Sequence, residues 1–155
     1  MVSSSRNDGY ELSTDPDRLD VGLIYRWLST DAYWAQGRSR ETVEESVRNS
    51  LNFAIHDAAG PQVAYARVVT DRATFAWLCD VYVAPAHRGK GLGTWLAGAV
   101  RDHLARYPLK RVLLSTLDAH GVYAQVGFAP VPNPQQLMIL NPARRHEVAT
   151  GHSPN

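Results

Sequence analysis

Residues 78–93 read LCDVYVAPAHRGKGLG. A long apolar run stops at a proline, then passes into a segment with glycine at every second position. Glycine is costly to order and weakens a helix, so three of them at a helix start need a reason. Close approach of the backbone to a ligand is one, because the free N–H groups of a helix N-terminus bind anions. Residues 74–83 before the turn are apolar at both parities, as in a central strand covered on both faces. Pro85 ends that strand. After the turn, Leu92, Trp95, Leu96, Ala99, Val100, His103 and Leu104 repeat at helical spacing from Gly91 to about Arg106, and Tyr107-Pro108 stops the run.

Working outward, residues 10–13 read as a short strand. Asp20 is placed to cap a helix to about residue 30, with Leu23, Ile24, Trp27 and Leu28 on one face. Ser39 is placed to cap a second helix, with Glu41 in its first turn and Val43, Val47 and Leu51 as its apolar stripe. Between them DAYWAQGR (31–38) reads as a loop. Residues 52–57 and 61–71 flank a tight turn as a hairpin. Beyond the glycine segment come a buried strand at 111–116 and a short helix within 118–128 that ends at Gly127. Strands at 128–131 and 135–140 follow, around a proline-rich turn. This order predicts an α+β fold in α/β/α layers: a mixed, mostly antiparallel sheet with helices on both faces. The expected division is a flexible N-terminus over 1–9, a single domain over 10–140 and a flexible tail over 141–155.

The bulk numbers are those of a soluble globular chain: 155 residues, 45% hydrophobic and 20% charged. A net charge of +1 gives no field for nucleic acid or membrane partners. The single cysteine, Cys79, excludes a disulfide framework within one chain and suits a reducing compartment. Flanked by Trp77, Leu78 and Val81, it reads as a small core residue rather than a nucleophile. No apolar signal region or membrane-length run is present, so a cytoplasmic location is expected. Arg144, Arg145 and His146 read as a solvated tail.

Three phosphate-loop grammars compete for residues 88–94. A Walker loop needs Ser or Thr after Gly-Lys to hold magnesium, but Gly91 follows Gly89-Lys90. The dinucleotide fingerprint G-x-G-x-x-G puts its third glycine on Thr94 or Leu96, so both registers fail. A third grammar, Q/R-x-x-G-x-G/A after a long apolar strand, is met at every position by Arg88-Gly89-Lys90-Gly91-Leu92-Gly93.

On those residues, and again on HGVYAQVGF (120–128), the chain resembles the GNAT superfamily of acyl-CoA-dependent acyltransferases. The resemblance follows element order from Tyr10 to Leu140. It implies a sheet splayed at its middle, acetyl-CoA as co-substrate, no metal, and an amine of a small molecule or peptide as acceptor. It is compatible with a monomer or a homodimer. The backbone N–H groups from Gly89 to Thr94 would converge on the pyrophosphate, with Arg88 and Lys90 as counter-charges or as plain solvated cations. The strand end Val81, Tyr82 and Val83 would pair with pantetheine as an added strand and polarise the thioester carbonyl.

The resemblance makes Tyr123 the acid for the leaving thiolate, although a tyrosine there also fits core packing with its hydroxyl at the surface. Asp118 and His120 stand where coenzyme contacts are expected, in place of the commoner asparagine. Asp80 is the candidate base, directly or through water; the equal alternative is a buried carboxylate tied to the backbone or to a basic neighbour. Glu44, Glu45 and His56 are reserves. Tyr33, Trp34, Arg38 and Arg40 are candidates for the acceptor wall, against a reading in which the two aromatics cap the core. An N-acetyltransferase is the leading function. A non-catalytic acyl-CoA-binding sensor of the same fold is the alternative.

Overall fold

Two side-chain caps start the first two helices. Asp20 accepts from the Leu23 N–H at 2.9 Å and Ser39 from the Thr42 N–H at 3.1 Å, each satisfying a donor that the first turn would orphan. The protein is described by a computed structural model over residues 1–142. Its elements are β1 (Ser3–Ser5), β2 (Glu11–Ser13), α1 (Val21–Thr30), α2 (Arg40–Arg48), β3 (Leu51–His56), β4 (Gln62–Thr70), β5 (Phe75–Val83), α3 (Leu92–Leu104), β6 (Arg111–Leu114) and α4 (His120–Ala124).

The six strands form one sheet in sequence order. Neighbours from β1 to β5 are antiparallel, and β5 with β6 is parallel, Phe75 opposite Arg111 and Leu78 opposite Leu114. A parallel pair needs a crossover, and α3 supplies it. On one face, Leu92, Leu96, Val100 and Leu104 of α3 pack against Leu12, Phe53, Ile55, Ala66, Val68, Ala76 and Leu78. On the other, Ile24 and Leu28 of α1 and Val43 of α2 meet Tyr65 and Tyr82. This is the expected layered architecture, with helices on both faces.

Two expectations about the ends differ from the structure. Residues 3–5, placed in the loose N-terminal stretch 1–9, form β1 on the outer side of β2. The strands expected at 128–131 and 135–140 are absent from the described residues. Pro130 removes a ladder donor from the first. Residues Pro134–Gln136 form a 3-10 turn that uses up the start of the second. Residues 143–155, including Arg144, Arg145 and His146, lie outside the described residues.

Candidate active site

The site begins with an irregularity in β5. Its register against β4 runs evenly from Thr70↔Ala76 to Arg67↔Cys79, then jumps to Tyr65↔Tyr82. Three steps on β5 span two on β4, so β5 carries one extra residue, a β-bulge. Asp80 sits there with φ 52°, a left-handed conformation that aspartate tolerates better than bulky residues do. The bulge reverses the parity of the strand. Before it, Ala76 and Leu78 face α3; beyond it, Val81 and Val83 do, and Tyr82 turns toward α1.

Pairing of β5 with β6 stops at Leu78↔Leu114, so from Cys79 onward β5 has no strand on that side. The opening between the parallel strands is the expected splay. It leaves the main chain of Val81 open toward the gap, but not that of Tyr82. The Ala84 N–H donates to the Val63 carbonyl at 2.9 Å, and bonds alternate along an antiparallel pair. The main chain of Tyr82, two residues back and opposite Tyr65, therefore faces β4. Val83 is partly committed, since its carbonyl accepts from Arg88 Nε at 2.9 Å.

Past the end of β5, Gly89 and Gly91 adopt φ 78° and 74°, which only glycine does without strain. A Cβ on Gly89 would meet nothing within 4 Å, and one on Gly91 only Arg6 Nη1 at 3.9 Å. The concavity is therefore open space and not a packed turn. Helix α3 starts there with Gly91 as N-cap and no side-chain cap on its first N–H groups. A cradle of uncapped donors beside absent side chains fits the pyrophosphate of coenzyme A. Leu92 itself is buried in the core, so its part is played by the main chain. Gly93 approaches Val122 of the next helix, and Thr94 borders a groove between β1 and α3.

The basic side chains of the cradle turn onto the protein. Arg88 reaches Asp31 at 3.3 Å and lies over the Tyr82 ring. Lys90 Nζ donates to the Tyr10 hydroxyl at 3.3 Å, which also bonds His87 at 2.7 Å. Arg6, which sequence reasoning missed, donates to the Lys90 carbonyl at 3.0 Å and so pins the cradle to the β1 end.

A cleft of about 550 Å³ opens at the splay. It brings together Asp80, Val81, Asp118 and Tyr123 with Tyr33, Trp34 and Arg38, residues from three separate stretches of sequence. Tyr33 and Trp34 are 53% and 43% exposed, whereas the neighbouring Ala32 and Ala35 are buried. The alanines, not the aromatics, close the core under this loop. Arg40 pairs with Glu44 and Glu45 with Arg48 on the surface of α2. His56 bonds the Arg18 carbonyl. Neither Arg40, expected in the acceptor wall, nor the reserves Glu44, Glu45 and His56 line the cleft.

Asp80 is a buried hub. Its carboxylate accepts from Trp34 Nε1 at 2.9 Å, Arg38 Nη1 at 2.8 Å and Arg67 Nε at 2.6 Å. Burial works to raise its pKa, but the Arg67 charge and the bonds from Arg67 and Arg38 outweigh that and hold it below the usual range. A carboxylate so held is a poor proton acceptor. Sequence reasoning missed Arg67, although its signal was legible: a lone cation inside the apolar run QVAYARVVT needs a buried partner.

Burial pushes the Tyr123 hydroxyl above the ordinary tyrosine value, and Tyr33 and Asp118 add to the rise. That hydroxyl stays protonated at neutral pH. Burial also pushes the Cys79 thiol up to about 11, so it is not a thiolate nucleophile. Among the described residues no group of three or more His, Cys, Asp or Glu is placed to hold a metal ion.

A sheet that opens between parallel strands onto an uncapped helix start, with an aromatic cleft at the opening, defines an acyl-transfer enzyme. The chain matches the Acetyltransferase (GNAT) family over residues 21–128 and belongs to that family. It is 34% identical to "Putative acetyltransferase FG08082" of Gibberella zeae, over 70% of this chain and 72% of that protein. Among solved structures it resembles a "putative acetyltransferase belonging to the gnat family" from Xanthomonas campestris pv. campestris, at 43% identity and a TM-score of 0.81, covering 89% of this chain and 95% of that one. The N-acetylglutamate synthase of Neisseria gonorrhoeae, complexed with coenzyme A and N-acetyl-glutamate, shares the fold at 17% identity and a TM-score of 0.64, covering 94% of this chain and 33% of that one.

Proposed function

We propose that this acetyltransferase moves an acetyl group from acetyl-CoA to a primary amine of a small molecule or peptide by direct attack. The observation that carries the reading is the cleft at the splay, where Tyr123 and the bulged end of β5 face the Trp34 loop. The pyrophosphate would lie on the N–H groups from Gly89 to Thr94 and the pantetheine arm along the open side of β5. Acetyl-CoA supplies an activated acyl group on a good leaving thiolate.

The chain's own residues then have separate tasks. A main-chain N–H near Val81 would polarise the thioester carbonyl. Trp34 and Tyr33 hold the neutral amine against it, which replaces a bimolecular encounter by a positioned one. The new C–N bond forms, the C–S bond breaks, and the nitrogen loses one proton while the sulfur gains one. Tyr123, protonated at neutral pH, would give the sulfur its proton. Asp80 acts as a positioning residue that fixes Trp34 and Arg38, and the nitrogen proton leaves through water.

The test is a panel of amines incubated with acetyl-CoA while thiol release is followed. Saturable, amine-dependent release with sequential kinetics is the expected result. Tight acetyl-CoA binding without release on any amine would instead support the sensor alternative.

A further inference from the structure

Away from Met1 and residues 137–140, the exposed large apolar side chains among the described residues are Tyr33, Trp34, Val69, Phe75 and Leu117. Single exposed apolar residues are ordinary, but a contiguous set marks a contact surface. Trp77 makes this set contiguous. It lines the acceptor cleft together with Tyr33, Trp34 and Leu117. Val69 stands opposite it on β4, and Phe75 lies two residues back on the same face of β5.

That face is the one α1 and α2 cover only in part. Val68, Ala76, Leu78, Val112 and Leu114 pack toward α3, so the alternate residues Val69, Phe75, Trp77 and Leu113 point the other way. Yet the cluster buried under α1 and α2 takes only Tyr65 and Tyr82 from the sheet, and these four side chains belong to neither core. Val69 is left 43% exposed and Phe75 38%. The Trp77 indole is half-buried, with neither a ring partner nor a hydrogen bond among the described residues. An unpartnered tryptophan in a cleft wall is where binding energy concentrates. Side chains on one face of a strand recur about every 7 Å, so Cys79, Trp77 and Phe75 lay out a strip of about 13 Å leading away from the bulge. Charge returns at its far end, where Arg111 stands opposite Phe75.

We propose that this strip is a specificity subsite for the acceptor: its amine carries an aromatic or branched aliphatic group, which lies on Trp77 and reaches toward Val69 and Phe75. The inference rests on the acetyl-transfer reading above and adds what else the amine must carry. From the reacting end of the cleft at Val81, a chain running back along β5 crosses Cys79 and meets Trp77 next. A short amine fills the inner cleft and leaves Trp77 in water. An apolar tail removes both surfaces from water, whereas a charged tail loses hydration there and finds no partner.

The test is a series of straight-chain amines from ethylamine to octylamine, with phenylalkylamines beside them. Each is titrated by calorimetry into the protein with coenzyme A, and thiol release from acetyl-CoA is followed in parallel. Affinity and kcat/KM should rise about two- to fourfold per methylene, then level off once the strip is covered. A second ammonium at the far end of the chain should cancel the gain. Val69→Thr combined with Phe75→Thr keeps residues that suit a strand. It should flatten the far end of the series while ethylamine affinity, the melting temperature and its rise with acetyl-CoA are kept. Trp77→Ala should flatten the whole series; if circular dichroism shows that variant unfolded, the threonine pair carries the test. Thiol release with flat affinities would overturn the subsite and leave acetyl transfer standing. Graded affinity that both variants abolish, without thiol release on any amine, would support the subsite and count against transfer. A gradation that survives the folded variants would overturn the subsite. So would flat affinities with a wild-type dimer that the two threonines dissociate, which would give the face to a second copy.

Discussion

The indole N–H of Trp34 donates to Asp80 Oδ1 at 2.9 Å across 46 residues of sequence. On the other oxygen, Arg38 from the same loop meets Arg67 from β4. One carboxylate thus ties the bulge that opens the sheet to the loop that lines the acceptor cleft. Two guanidinium groups thus meet one carboxylate, while Asp118 supplies a second negative charge to the same cleft.

Asp80→Asn keeps the shape and removes the charge, leaving Arg67 partly buried without its partner. Loss of one member of such a pair costs about 3–5 kcal/mol, so the urea midpoint should drop accordingly. Because the loop loses its anchor, KM for the amine should rise while acetyl-CoA affinity holds. A large fall in kcat, with the acidic limb of the pH–rate profile lost and KM unchanged, would return Asp80 to the role of base.

The same pairing fixes a pH dependence. The Asp80 carboxyl lies lower in the folded chain than in the unfolded one, where an aspartate titrates near about 3.9. A group depressed by folding contributes stability above its unfolded value and loses it as pH falls through the folded one. The stability advantage of wild type over Asp80→Asn should therefore be full at neutral pH and shrink below about pH 4. An advantage that grew on acidification would contradict the ion-pair account.

Tyr123→Phe deletes one hydroxyl that makes no hydrogen bond among the described residues. The ring keeps its packing against Phe128, so the melting temperature should change little. A positioned acid is worth about 10²–10⁴-fold, and kcat should fall by that range with acetyl-CoA affinity preserved. Wild-type turnover in the variant would remove Tyr123 from the reaction.

Gly89→Ala tests the cradle. At φ 78° an alanine costs about 1–2 kcal/mol, yet its methyl meets no protein atom within 4 Å, so the fold should survive. The methyl projects instead into the space where phosphate oxygens would approach the N–H groups. Acetyl-CoA should raise the melting temperature of wild type and raise that of the variant far less, an affinity loss of about tenfold or more. Equal shifts in both proteins would place the phosphates elsewhere.

Local signals were readable and nonlocal ones were not. Asp20, Ser39 and the glycine cradle declare themselves because capping and positive φ act within a few residues. The bulge at Asp80 is hidden in TFAWLCDVYV, where apolar residues at both parities mask the reversal of faces. The hub needs Arg67 opposite Cys79, a pairing set by register. The strands expected at 128–131 and 135–140 carry the right residues, but a strand forms only against a partner, and none of the described residues pairs with them.

The loop between α1 and α2 offers the sharpest test of the acceptor wall. Trp34 does two separable things: its ring lines the cleft, and its N–H holds Asp80. Trp34→Phe keeps an aromatic face and deletes the bond, whereas Trp34→Ala deletes both. If the ring holds the amine, KM for the amine should rise steeply in the alanine variant and modestly in the phenylalanine one, with acetyl-CoA affinity unchanged in each. Arg38, which lines the cleft, adds a preference: an acceptor with a carboxylate beside its amine gains a charge-assisted partner there. Wild type should therefore prefer such an amine to its amide, and Arg38→Gln should narrow the gap by removing that partner. Equal activity on acid and amide in wild type would sink the preference and leave the ring's role standing. Equal KM in wild type and Trp34→Ala would remove the loop from the acceptor site altogether.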